Sequence, residues 1–391
     1  MTVATRVDIG VTEVISRSDE AAFHELPYRL YARDPLWVPP LRHLERRRWS
    51  RAHNPSLASR WVRRFLVRRG GRVVGRIAAI IDDAFAQRWA PDSGFFGFFE
   101  CTDDIEAALA LLATAEDALR ERGVRTVIGP VNLTTHDEVG LLVRGFDRPP
   151  RLLDPYNPPY YSTLLEWAGY RPGRGYDAWL WTPAQEPAPA VRRLLARSAD
   201  RAAGVTVRSV DPARWNAEVR LLRRLYNECF SDLWGFVPIA EDEMAARADG
   251  FRPFFRPELV LIAEARGEAC GFAITLPDVN RALAGVGGRL LPFGWLRIAS
   301  AMHRIRTTRF LLLGVTPAFR GRGVAPLLAG RTAEAGRRLG MEDGELSLIQ
   351  TTNDPMRRVV AAFACPLVKS FRLFSRTLAP ESRVYSDHMQ S

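Results

Sequence analysis

The succession of apolar and polar positions along the 391-residue chain occurs twice. In the first half an apolar helical stretch leads into YARDPLWVPP (Tyr31–Pro40), and in the second a similar stretch leads into YNECFSDLWGFVP (Tyr226–Pro238). Each segment carries Trp and then Val-Pro. A strand, a turn and a second strand follow in both: FLVRRGGRVVGRIAAI from Phe65, and LIAEARGEACGFAITL from Leu261. Trp37 and Trp234 stand 197 positions apart, and Gly75 and Gly271 stand 196 apart. A third strand then precedes a long helix, as GFFGFFECTDD (Gly94–Asp104) before the helix around Thr114, and as FLLLGVTPAFRGRGVA (Phe310–Ala325) before the helix around Thr332. The spacing has grown to 218 there, so 22 residues enter the second half between Gly271 and Thr332. Val279–Arg309 reads as that insertion, a helical hairpin covering the sheet, with a lid or a membrane-surface amphipath as the other readings.

The pattern predicts a duplicated α/β unit, an α+β mixed sheet covered by helices, in two copies. The first copy spans 1–181 and the second 205–380. Between them the Pro- and Ala-rich TPAQEPAPA has linker composition and opens a linker and short helix over 182–204; a tail follows at 381–391.

Composition excludes several classes. With 47% hydrophobic and 25% charged residues the chain is an ordinary folded protein, not a disordered or collagen-like one. Cys101, Cys229, Cys270 and Cys365 lie far apart without a CxxC, so neither a disulfide framework nor a zinc cluster is expected. The opening MTVATRVDIG carries no basic-then-apolar leader pattern, and no run of 18 apolar residues occurs, so a cytoplasmic chain with no transmembrane segment is expected. The net charge of +11 comes from 54 arginines and a single lysine, Lys369. Codon bias explains such an arginine excess, and a basic surface for phosphate-bearing ligands is the sharper alternative.

The strongest chemical signal is FLLLGVTPAFRGRGVAPLLAG (Phe310–Gly330), an apolar strand running through a Gly/Arg turn into a helix with Pro326 in its first turn. Free amides of Gly321, Arg322, Gly323, Val324 and Ala325 at a helix start form an anion cradle suited to a diphosphate. No Gly-Lys-Ser/Thr follows, so it is not a Walker loop, and GRG lacks the third glycine of a dinucleotide fingerprint.

Val315-x-Pro317 followed by Arg320-x-x-Gly323-x-Ala325 resembles the acyl-CoA diphosphate motif of the GNAT acyltransferase superfamily. The resemblance covers Val205 to about Leu378. The tandem arrangement is similar to two-domain members such as mycothiol synthases, and LPYRLYARDPLWVPPL, GFFGFFE, PYNPPYY and WGFVP resemble a bacterial tandem-GNAT group. It implies that the amides of Arg320 to Ala325 hold the CoA diphosphate, that backbone at Gly314 and Val315 binds pantetheine and polarises the acyl carbonyl, and that Asn353 contacts pantetheine or serves as an N-cap. The helix after Asn353 reads Val359, Val360, Ala361, Ala362, Phe363 and lacks the tyrosine that many members use as general acid.

Glu345 and Asp232 are the candidate general bases. Trp234 and Phe236, in SDLWGFVP, are expected to wall the acceptor pocket, with inter-domain packing as the equal alternative, and Asn132, Tyr160 and Tyr161 to reach the pocket from the first half. His136, Asp137 and Glu138 could form a metal or acid/base cluster, but adjacent residues on extended chain diverge and a structural loop is favoured; if the loop is functional, Asp137 would reach the acceptor with Asn132, Tyr160 and Tyr161. The first half lacks the motif, and Asp103 with Asp104 would repel a diphosphate there.

The expected function is acyl-CoA-dependent N-acyl transfer, an acetyl group from acetyl-CoA to a small-molecule or peptide amine, without a metal, by a monomer or homodimer. A non-catalytic acyl-CoA sensor or scaffold is the alternative. A basic nucleic-acid-binding protein is the third reading, disfavoured because acidic residues are interspersed and no nucleic-acid motif is present.

Overall fold

The computed structural model describes residues 8–183 and 204–378, with positions 189, 192, 193, 196, 197 and 202 between them. The tail 381–391 and most of the linker 182–204 lie outside the described residues.

Thirteen strands form one mixed sheet: β1 (Ile9–Glu13), β2 (Arg60–Arg69), β3 (Arg72–Asp82), β4 (Ser93–Cys101), β5 (Thr126–Gly129), β6 (Leu141–Arg144), β7 (Arg171–Trp181), β8 (Val205–Ser209), β9 (Val260–Ala265), β10 (Glu268–Pro277), β11 (Thr307–Val315), β12 (Asp343–Gln350) and β13 (Leu367–Thr377). Their order is β1-β2-β3-β4-β5-β13-β7-β12-β11-β10-β9-β8, with β6 also on β13. Among them two pairs are parallel, β4 with β5 and β11 with β12. Each is joined by a long helix, Ile105–Arg120 in the first half and Val324–Arg338 in the second. The two copies expected from the sequence are present.

They are not two separate sheets. β13, from the end of the chain, lies between β5 and β7, while β7, the last strand of the first half, pairs with β12 of the second. Tyr176 on β7 is therefore opposite both Phe371 and Gln350. The halves exchange their final strands and share one backbone ladder.

The core of the first half follows the two-residue period. Val67, Ile77, Ala79 and Phe96 face the helix Ile105–Arg120, against Leu111, Leu112 and Leu119. Leu66, Ala78, Ile80 and Phe95 face the opposite side, against Phe23 of the helix Arg17–Leu30. Each fully buried Leu or Phe contributes about 1.5–3 kcal/mol.

The 22-residue excess enters between β10 and β11, where the first half has only the helix Asp83–Trp89. It forms two helices, Asn280–Leu283 and Gly294–Met302, and the second docks on Leu276 and Ile305 through Ile298, Ala301 and Met302. A helical hairpin is what the sequence predicts there. Its C-terminal end differs: Thr307, Thr308 and Arg309 belong to β11, and Arg309 is fully buried rather than part of a basic surface.

Candidate functional site

The loop after β11 has the geometry its glycines suggest. A turn at Pro317–Phe319 leads to Arg320 in extended backbone, then Gly321 at φ 76° and Gly323 at φ 82°, the N-cap of the helix Val324–Arg338. A left-handed N-cap glycine carries no capping side chain, so the first-turn amides stay open to an anion. No atom lies within 4 Å of where a Cβ on Gly321 would sit. The cradle fits a diphosphate. Arg320 has a different task from its neighbours: its Nη1 donates to Asp232 Oδ2 at 2.7 Å and its Nη2 to the Cys229 carbonyl at 2.9 Å, tying the loop to the end of the helix Trp215–Cys229. That bond to Arg320 holds the exposed Asp232 carboxyl below its ordinary range, so Asp232 is a loop anchor at the rim. Arg322 lies over the Phe319 ring with its guanidinium 5.3 Å from the ring centre.

In the first half the same helix start is already filled. Asp104 accepts from Ala107 N at 3.1 Å and from Arg69 Nε at 2.6 Å, so a fixed carboxylate occupies the anion seat.

Above the loop after β11 the sheet opens. β11 and β12 pair from Thr307–Asp343 to Phe310–Leu346, then part, and a bulge opposite Ile274 and Thr275 leaves Leu311 out of register on β11. The resulting cleft, about 190 Å³, is walled by Leu311–Leu313 on one side and Ser347–Gln350 on the other. Tyr226, Phe230, Trp234 and Phe236 cover it, and Asn353 lies at its end. Gly314 and Val315 continue β11 toward the diphosphate loop, opposite Phe272 and Gly271. Asn353 is the N-cap of the helix Asp354–Ala362, its Oδ1 accepting from Met356 N at 3.2 Å. The equivalent opening between β4 and β5 is plugged by the chain itself: Val131 N donates to the Phe96 carbonyl at 2.9 Å, and Phe98 N donates to Asn132 Oδ1 at 2.7 Å. Asn132 thus sits in the splay of the first half.

One residue crosses between the halves. His136, on the loop after β5, lines the cleft of the second half, and its Nδ1 is 2.8 Å from the Tyr226 hydroxyl. Its Nε2 is buried and has no hydrogen-bond partner among the described residues. Burial, reinforced by the Arg247 guanidinium, lowers its pKa to about 4, so the ring is neutral near pH 7. Thr135 Oγ1 donates to the Gly235 carbonyl at 2.6 Å and Arg247 Nη1 to Asp137 Oδ1 at 2.8 Å, which locks the loop against the second half. The three side chains take different partners: Asp137 pairs with Arg247, Glu138 with Arg48 and Asn132, and His136 with Tyr226, while His136 and Asp137 both line the cleft. The sequence marks His136 within a polar loop, but its pairing with Tyr226 of the second half leaves no local pattern.

Behind the bulge an apolar cavity of about 170 Å³ adjoins the cleft and shares His136, Tyr226, Leu311 and Leu312 with it as wall residues. Val219, Leu222, Phe251, Phe255 and Leu276 are among its other wall residues, and Glu218 and Arg247 are its charged members. A larger cavity, about 470 Å³, lies in the first half and is lined by Tyr28, Glu45, Arg48, Glu100, Asp137 and Glu138 among others. Burial pushes the Glu45 and Glu100 carboxyls up. Tyr161 lines this cavity and donates to Glu100 Oε2 at 2.7 Å, while Tyr160 donates to the Cys101 carbonyl at 2.9 Å. The structure therefore separates the tyrosines from Trp234 and Phe236. Trp234 and Phe236 both wall the cleft and join the halves, since Trp89 Nε1 donates to the Phe236 carbonyl at 2.7 Å and the Trp234 ring meets Phe85 edge-on.

Glu345 lies beneath the cleft, on β12 opposite Arg309, and is fully buried. Lys369 Nζ donates to Glu345 Oε2 at 3.0 Å and to Asp154 Oδ2 at 2.9 Å, and Arg309 also pairs with Asp154. Burial and the nearby Asp154 charge raise the Glu345 pKa to about 8. Burial alone would raise Asp154 too, but Arg309 and Lys369 outweigh it and hold that carboxyl well below its ordinary value. Ser347 Oγ, at the cleft floor, donates to Glu345 Oε1 at 3.1 Å and links the two levels. No cluster of three or more metal-ligating side chains occurs among the described residues.

No family model matches the chain. It is 31% identical over 376 residues to Protein YghO of Escherichia coli K12, covering 94% of this chain and 95% of that protein. It is 32% identical over 382 residues to a bacterial ceramide synthase of Caulobacter vibrioides, covering 96% and 99%. Among solved structures, a tandem GNAT protein from the clavulanic acid biosynthesis pathway superposes with a TM-score of 0.55 at 14% identity, over 95% of this chain and 99% of that one. The last likeness establishes the fold, two tandem GNAT domains.

Proposed function

We propose that this chain, which belongs to the family of Protein YghO and the bacterial ceramide synthase, is an acyl-CoA-dependent N-acyltransferase whose acyl group is longer than acetyl. The observation that carries the reading is an apolar cavity that adjoins the β11–β12 cleft at the bulge and shares four wall residues with it. An acetyl group would leave that cavity empty, whereas an alkyl chain matches its predominantly apolar wall. A ceramide is by definition the N-acyl amide of a long-chain amino alcohol, so the relative's name favours an amine of that class.

In this reading the amides from Gly321 to Ala325 hold the CoA diphosphate, pantetheine follows β11 past Gly314 and Val315, and backbone near the bulge polarises the carbonyl. His136 Nε2 accepts the proton as the amine nitrogen bonds to the carbonyl carbon. The C–S bond then breaks, and the same proton passes to the leaving thiolate, giving an amide and free CoA. The tautomer that donates from Nδ1 to Tyr226 leaves the Nε2 lone pair in the cleft for this step. Glu345 acts through Ser347 on the cleft floor, and Trp234 and Phe236 wall the reacting centre. The test is CoA release from acyl-CoAs of increasing chain length with a long-chain amino alcohol. Turnover that peaks at acetyl, or is absent with every long chain and amine, refutes the reading.

A second reading, an acyl-CoA sensor without turnover, is favoured by the helix Asp354–Ala362, which presents no hydroxyl. It predicts tight binding of long-chain acyl-CoA with no thiol release over a broad amine panel.

A further inference from the structure

The helical hairpin inserted between β10 and β11 carries an unusual surface. Leu291, Phe293, Trp295 and Leu296 are 78, 67, 52 and 48% exposed, and they follow one another within six residues. Half of the large hydrophobic side chains that the described residues leave exposed are in this one segment. The helix Gly294–Met302 has no fully buried residue; only Ile298, Ala301 and Met302 lean on the domain. Scattered exposed leucines are ordinary on a folded protein, but a contiguous Leu-Phe-Trp-Leu tip is not.

Its charge is one-sided. From Val279 to Thr308 the sequence holds Arg281, Arg289, Arg297, Arg304 and Arg306 and no Asp or Glu. None of these five forms an ion pair among the described residues, although arginine–carboxylate pairs are abundant elsewhere in the fold. The hairpin abuts the helix Arg42–Arg48 of the first half, where Arg42 N donates to the Gly288 carbonyl at 3.0 Å. That helix adds exposed Arg46, Arg47 and Leu44 to the same neighbourhood, again with Arg46 and Arg47 outside any described ion pair.

We propose that this face docks on the surface of an anionic phospholipid bilayer. Charge complementarity selects this occupant: a protein partner would need an acidic rim around an apolar socket, whereas a bilayer offers lipid phosphates beside hydrocarbon to any surface that presents arginines beside Trp, Phe and Leu. The hairpin lies on the surface without crossing, since no helix among the described residues is long and apolar enough to span a membrane. Asn280 and Leu283, at the base of the hairpin, also line the large cavity of the first half. Docking would therefore bring that cavity close to the lipid surface. The proposal stands independently of the acyl-transfer reading, because vesicle binding needs neither substrate nor turnover.

The full chain is sedimented with phosphatidylcholine vesicles and with phosphatidylcholine–phosphatidylglycerol vesicles. It is expected to pellet with the mixed vesicles, less so as salt rises, and to stay in the supernatant with phosphatidylcholine alone. F293E/W295E is expected to lower the partition coefficient about tenfold or more, and R297E/R304E to remove most of the phosphatidylglycerol dependence. Both pairs are exposed, and circular dichroism matching the parent confirms that each variant is folded. A parent that pellets with neither vesicle, or an F293E/W295E variant that binds like the parent, overturns the proposal. So does a parent dimer that F293E/W295E converts to a monomer without any vesicle binding.

Discussion

His136 of the first half and Tyr226 of the second meet at 2.8 Å across the junction of the two copies, beside the cleft opened by the parting of β11 and β12. The contact makes the site a joint product of both halves. It also sets a pH signature. Folded, His136 titrates near 4, below its ordinary value of 6.5. As pH falls from 7 to 5 the unfolded chain takes up this proton and the folded chain does not, so the folded state loses stability over that window. The loss should be about 2 kcal/mol. Urea denaturation of the parent and of H136Q at both pH values isolates it, because their stability difference should change by that amount. An unchanged difference would mean that His136 is not held neutral by the fold.

The diphosphate loop separates two kinds of residue. G323D places a carboxylate at a helix start and a side chain in left-handed backbone, and should weaken CoA binding at least about tenfold. D232N should weaken it only modestly, since Asp232 touches Arg320 and not the cradle. Calorimetry with CoA distinguishes them. Equal losses in both variants would place Asp232 in the phosphate site itself.

Chain length should respond to the cavity wall. L222W fills space behind Leu311 and Leu312, and is expected to lower kcat/KM for a long acyl-CoA about tenfold or more while sparing short ones. A uniform drop across all chain lengths would show that this cavity does not receive the acyl tail.

The single lysine of the chain is buried between carboxylates contributed by both halves, Asp154 from the first and Glu345 from the second. K369M leaves both carboxylates in an apolar interior with one cation fewer and should destabilise the fold by about 3–5 kcal/mol, read by urea denaturation. Near-parent stability would mean that Arg309, paired with Asp154, and Arg151, whose Nε lies 3.9 Å from Glu345 Oε2, neutralise the cluster without it.

Much of the architecture was legible because it is local. Trp37 and Trp234, the paired strands after them, and the helices opening at Asp104 and Gly323 each leave a pattern within a dozen residues. The strand exchange was not legible, because β7 and β13 read as ordinary strands and their partners lie far away in sequence. The loop at Gly321 and Gly323 announced itself through glycines at positive-φ backbone positions. His136 could not, since its chemistry depends on Tyr226, 90 positions away. Glu345 was singled out from sequence, yet its burial against Lys369 follows from the exchanged β13, which no local pattern reveals. Some of the arginines likewise lie in internal pairs that no local pattern reveals, such as Arg60–Asp82 and Arg151–Asp278.

The most direct test of the central claim, that the first half completes the acyl-transfer site of the second, is single-turnover amide formation from a long-chain acyl-CoA and a long-chain amino alcohol by the parent and H136Q. The account predicts that H136Q binds acyl-CoA as the parent does and forms amide about 10²–10⁴-fold more slowly. Amide formation by H136Q at the parent rate would contradict it.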